Sequence, residues 1–267
     1  MTHQESFFDD YGRVIPKGLT APVNGVSRRY FSFPDIDTNL DEIYSRSSRH
    51  LNISEDVISL ETFKARVEKI RKEIVSNEPI SGIQNGIGVP FIVPQQKDAD
   101  IGKLLEQRFL PAVEASYRER FPDYSFVNHN TDHIAGNLQC LAESRHSLFM
   151  KAVESSTVVG ILFPCLTEFS IPAAVEQVSA LPTDILLGGA LDTCAAFIGC
   201  PELLFKPEGY PPLIWMSGIS GPKDDVGYHL EAYGYNLTFN RRAHLGQVAE
   251  YWASSVVLID TVTGFAR

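Results

Sequence analysis

The stretch TVVGILF, residues 157–163, contains no charged side chain, and its threonine, valines and isoleucine are β-branched. A short apolar run of that kind reads as a strand covered on both faces. The pattern continues outward from it. Residues 171–180 have helical spacing, with Pro172 tolerated in the first turn. Residues 184–187 read as a strand, 191–198 as a buried helix, and 212–216 as another apolar run. Residues 227–240 alternate, with Tyr233, Tyr235, Leu237 and Phe239 on one side, which predicts one long half-buried strand. Leu245, Val248 and Trp252 fit a short helix, and residues 256–259 a last strand. Apolar runs alternating with helices predict an α/β fold: a mostly parallel or mixed sheet flanked by helices.

Working back towards the start, Leu60, Phe63, Val67, Ile70 and Ile74 step by three or four and predict a helix. Val89, Phe91 and Val93 alternate as in a strand, and Ile101, Leu105, Phe109, Val113 and Tyr117 line a second helix. Residues 124–127 read as a strand, and a third helix is predicted over 131–152 from Ile134, Leu138, Leu141 and Leu148. Residues 1–50 carry recurrent aromatics and prolines without a period. They are expected to form an extended arm packed over the rest, a candidate surface for oligomerisation. Residues 51–267 are expected to form one α/β domain, with a change of rhythm near residue 150 as a candidate sub-boundary.

Composition narrows the functional classes. The chain has 267 residues, 44% hydrophobic and 21% charged, which is globular usage. The net charge of −10 argues against nucleic-acid binding, which needs clustered basic groups. Between residues 146 and 205 the one Lys or Arg is Lys151, so this stretch is expected at the centre of the fold. No apolar run reaches the ~20 residues a membrane helix needs. Residues 1–10 lack the apolar core of a secretory signal. The four cysteines form no C-x-x-C pair, so reduced thiols and a cytoplasmic location are expected.

Candidate chemistry follows from the strand ends, because ligands of parallel α/β sheets bind beyond the carboxyl ends of the strands. Cys165 and Glu168 follow one run; Gly188, Gly189, Asp192 and Cys194 follow another. Ser217 and Gly218 follow a third, and Asp260 the last. Gly188 and Gly189 before a helix would offer backbone N–H groups to an anionic or carbonyl group. Cys165 or Cys194 at a helix start would be a nucleophile, with Glu168 and Asp192 binding polar substrate atoms or moving protons. His129 and His133 in His-x-x-x-His would share one helix face and chelate a divalent metal. His133, Asn137, Cys140 and Ser144 make an uncharged polar stripe suited to a cleft wall, with His133 as a ligand-binding residue. No G-x-G-x-x-G, P-loop, G-x-S-x-G or H-E-x-x-H motif is present, so no nucleotide cofactor is implied. The expectation is a cytosolic small-molecule enzyme with a pocket at the carboxyl edge of the sheet, performing hydrolase or acyl-transfer chemistry. A non-catalytic binding module and a structural or assembly protein are the alternatives.

Overall fold

The computed structural model describes residues 6–131, 134–142 and 144–260. Its strands are β1 (Val89–Val93), β2 (Phe126–Asn128), β3 (Gln139–Cys140), β4 (Val158–Thr167), β5 (Leu186–Leu187), β6 (Leu213–Trp215), β7 (Ile219–Ser220), β8 (Val226–Tyr233), β9 (Asn236–Ala243) and β10 (Trp252–Ile259). The α-helices are α1 (Leu40–Leu51), α2 (Leu60–Ser76), α3 (Glu78–Ser81), α4 (Ile101–Leu104), α5 (Leu110–Arg120), α6 (His146–Ser155), α7 (Ile171–Ala180) and α8 (Ala190–Gly199). A π-helical turn, Leu105–Phe109, joins α4 to α5.

One sheet runs β1-β4-β10-β6-β8-β9-β2, with β5 pairing β10 beside that path. It takes strands from both sides of residue 150. The fold is α/β with a mixed sheet. Pairs β10–β6 and β2–β9 are parallel; β1–β4, β4–β10, β10–β5, β6–β8 and β8–β9 are antiparallel. Residues 157–163 lie in β4, whose first nine positions are buried. Its neighbours β1 and β10 satisfy its backbone on both edges, so an all-apolar strand is stable there.

Several elements differ from the sequence expectation, each for a visible reason. Residues 227–240 are not one strand. They belong to a hairpin, β8–β9, because Gly234 (φ 57) and Tyr235 (φ 68) both take the left-handed conformation a two-residue turn requires. The described residues between 131 and 145 are not helical. The Ile134 and Ala135 N–H groups donate to Glu106, Gly136 N–H donates to Asp100, and Gly136 has φ 73. Carboxylates from the α4–α5 helix therefore take the donors a helix would need. This loop packs so closely that a Cβ on Gly102 would lie 1.7 Å from the Ile134 carbonyl oxygen. Residues 245–251 are turns, and Trp252 opens β10 instead of closing a helix.

Within the first fifty residues, α1 begins at Leu40 with Asn39 as its side-chain cap and buries Ile43, Ser47 and Leu51. Its Asn-cap and acidic first turn (Asp41, Glu42) were the available sequence signals. Upstream, isolated bridges Phe8↔Val14, Val23↔Phe169 and Phe31↔Tyr210 are the strand-like contacts.

Candidate functional site

β5 and β6 run in opposite directions along the same edge of β10 and end facing one another. β5 pairs at Val256 and Val257, and β6 at Trp252 to Ser254. Their ends therefore meet at Ser254 and Ser255, leaving a gap in the sheet edge. Gly188 N–H donates to the Ser255 carbonyl at 2.7 Å, and Gly218 N–H donates to the Gly188 carbonyl at 2.8 Å. The Ser217 and Ser254 hydroxyls hydrogen-bond each other at 2.6 Å. The residues predicted after two runs, Gly188, Gly189 and Asp192 after the first and Ser217 and Gly218 after the second, do come together here.

The centre of this junction is His146, which no motif in the sequence marks. It is the first residue of α6 and fully buried. Its ring lies between two glycine backbones: a Cβ on Gly189 would sit 2.3 Å from it, and one on Gly218 2.5 Å. Phe149 stacks on it at 5.3 Å. Nδ1–H donates to the Leu187 carbonyl at 3.1 Å, which leaves the lone pair on Nε2. Nε2 is buried and meets no hydrogen-bond partner among the described residues. Burial holds the imidazole pKa below its usual value, against the opposing pull of Asp192 and the Leu187 carbonyl. The ring is thus neutral, with a fixed tautomer and a bare acceptor nitrogen.

Asp192 lies in the first turn of α8, and both its oxygens accept from Gly189 N–H, at 3.0 and 2.8 Å. Burial pushes its carboxyl pKa up, although His146 and backbone donors work the other way. The Thr193 and Ser255 hydroxyls are also buried without a partner among the described residues. Cys140 closes the arrangement. It is half-buried at the end of β3, and the N–H of its neighbour Leu141 donates to the Gly218 carbonyl at 2.9 Å. Partial burial, then the negative field of Asp192, hold its thiol above the ordinary value.

The remaining predicted residues fare differently. Gly188 and Gly189 do not present free N–H groups: the Ser255 carbonyl and the Asp192 carboxylate occupy them. Their role is close approach, since Cβ atoms there would strike Ser255 and His146. Cys194 is buried inside α8, with its thiol pKa raised by burial. Cys165 lies within β4 and not at a helix start, on the other side of β10; burial pushes its thiol up to about 12. Both thiols are buried, unlike the half-buried Cys140, and burial disfavours the reactive thiolate. Glu168 faces the N-terminal segment, accepting from the Asn24 side chain at 2.7 Å beside the Arg13 guanidinium, and does not join the Asp192 group. Asp260 binds Arg66 and Lys69 at the far end of β10.

His129 is exposed just beyond β2, on a non-helical segment, so the helical chelate geometry is absent on its side. His133 lies outside the described residues. Among the described residues no group of three or more His, Cys, Asp or Glu side chains could hold a metal ion. Asn137 is in an exposed turn and Ser144 is buried, so the four-residue stripe is not one helix face. Among the described residues no helix is long and apolar enough to cross a membrane.

Comparison with known proteins returned no matching family model, no matching curated protein and no matching solved structure. The chemistry of this chain rests on its own geometry.

Proposed function

We propose that the chain is a small-molecule enzyme of the hydrolase or acyl-transfer class, with its reacting centre at the β5–β6 junction. The observation that carries this reading is the bare Nε2 of His146, on a neutral ring whose tautomer is fixed by Leu187. A base needs that state, and a buried acceptor without a partner costs about 1–3 kcal/mol unless something uses it. In this reading Cys140 supplies the nucleophile. Its thiol stays protonated at neutral pH, so attack on a carbonyl carbon requires a base. Nε2 takes the thiol proton as the S–C bond forms, then returns it to the leaving group as the acyl–leaving-group bond breaks. Asp192, in the field of both groups, biases the imidazolium that forms. Water or a second acceptor then takes the acyl group. The four cysteines are unpaired, which fits a reducing, cytoplasmic setting.

The full burial of His146 and Asp192 favours a second reading, a pocket that binds a ligand without reaction. Both readings can be tested with p-nitrophenyl acetate hydrolysis and iodoacetamide labelling of wild type, His146→Gln and Cys140→Ser. We expect Cys140 to label ahead of Cys165, Cys194 and Cys200. Each variant should lose about 10²-fold or more of the ester turnover, the lower end of what general acid–base catalysis supplies. A folded His146→Gln protein with undiminished turnover, or a wild type inert towards esters, thioesters and amides alike, would rule out the enzyme reading.

A further inference from the structure

A second polar cluster lies in the packing of Ile171, Leu213, Trp215 and Trp252, which stands apart from the main core. Trp215 on β6 pairs across with His229 on β8 and with Ser254 on β10. Trp252 is two residues before Ser254, so Trp215, His229 and Trp252 share one face of the sheet. Their rings touch edge to face: 4.8 Å between Trp215 and His229, and 4.9 Å between Trp215 and Trp252. All three side chains are buried, at 1%, 0% and 3% exposure for Trp215, His229 and Trp252. Each nevertheless carries a ring nitrogen with no partner among the described residues: both indole Nε1 atoms and His229 Nδ1. Buried polar atoms are nearly always satisfied, so three on contiguous rings require an explanation.

The surroundings indicate the missing chemistry. His229 Nε2 lies 3.3 Å from a Glu231 oxygen, so the proton sits on Nε2 and Nδ1 is an acceptor. The vacant valences are therefore two donors and one acceptor. Arg242 stands 3.8 Å from Glu231, so the charges at the rim offset each other. Leu245, Ala249 and Tyr251, from a segment without helix or strand, cover the cluster.

We propose that this cluster is a binding site for a neutral carboxamide group. The carbonyl oxygen accepts from the two indole N–H groups, and the amide N–H donates to His229 Nδ1. A carboxylate would satisfy the indoles but bring a lone pair against Nδ1 and an uncompensated charge among buried rings.

The chain contains two tryptophans, so the two indole N–H signals of 15N-labelled protein report on this site alone. Acetamide is expected to shift both signals saturably, and acetate at equal concentration to leave them in place. His229→Phe and, separately, Trp215→Phe should abolish saturation while the backbone amide spectrum stays dispersed; either folded variant suffices. Unmoved indole signals in acetamide, an equal response to acetate, or undiminished saturation in a folded variant would each overturn the assignment.

Discussion

Gly189 and Gly218 hold the His146 ring between two stretches of bare backbone, and this sets what either position tolerates. Gly189→Ala would place a Cβ 2.3 Å from ring atoms that cannot retreat, because Gly218 closes the ring from its own backbone. Overpacking of this kind costs about 1–3 kcal/mol. Gly246→Ala meets nothing within 4 Å and needs no left-handed backbone, so it should be neutral. Urea midpoints of the two variants, compared with wild type, check the contrast; equal midpoints would mean the ring is free to move. The packing role of these glycines is not legible in the sequence, since Gly188-Gly189 before a helix reads equally as an anion loop. His146 was hidden for a related reason. On one continuous helix from His133, His146 would lie about 220° round and face away from any shared site, whereas Gly136 takes the left-handed conformation and α6 begins at His146 itself.

At the scale of elements, periodic segments kept their identity and punctuated ones did not. α2 follows its Leu60–Phe63–Val67–Ile70–Ile74 spacing, with Ser59 capping it, because one-sided burial is enough to select that pattern. The strand through residues 227–240 split at Gly234, where the alternation runs unbroken across a turn. α2 is also tied to the sheet by charge. Arg66 and Lys69 both bind Asp260 at the end of β10, and Arg66 donates to the Thr157 carbonyl ahead of β4. Burial opposes the Asp260 carboxylate, but the hydrogen bonds from Lys69 and Arg66 outweigh it and keep its pKa below the ordinary range. A depressed folded pKa gives stability above the unfolded value, about 3.9, that is lost as pH falls through the folded one. Asp260→Asn should therefore destabilise the protein by about 1–3 kcal/mol at pH 7 and progressively less below pH ~4. Denaturation series at both pH values test this; a penalty independent of pH would mean that the pair carries no charge-dependent stability.

For the molecule as a whole, the buried imidazoles His146 and His229 add a pH-dependent contribution to stability. Burial lowers the pKa of His146 and, against the pull of Glu231, that of His229. The unfolded rings titrate near 6.5, so their contribution is present above that pH and is lost on acidification towards the folded values. Asp192, raised by burial, has the opposite sign and loses stability as pH rises above the ordinary carboxylate range. Stability should decline from about pH 6.5 downward, and His229→Gln should flatten that decline by at most about 1.4 kcal/mol per pH unit. Identical slopes for variant and wild type across about pH 5–7 would refute a neutral buried His229. The same division separates what each level of structure decides. By itself the sequence determined the α/β class, the buried strands at residues 157–163 and 256–259 and the amphipathic α2, because these depend on local periodicity and composition. Strand direction, the break at Gly136 and the enclosure of His146 were decided only in three dimensions. They depend on which backbone donors Glu106, Asp100 and Ser255 occupy, and on two short strands meeting head-on at β10. Such long-range pairings leave no period in the chain, so the site became visible only when Gly189 and Gly218 closed on one imidazole.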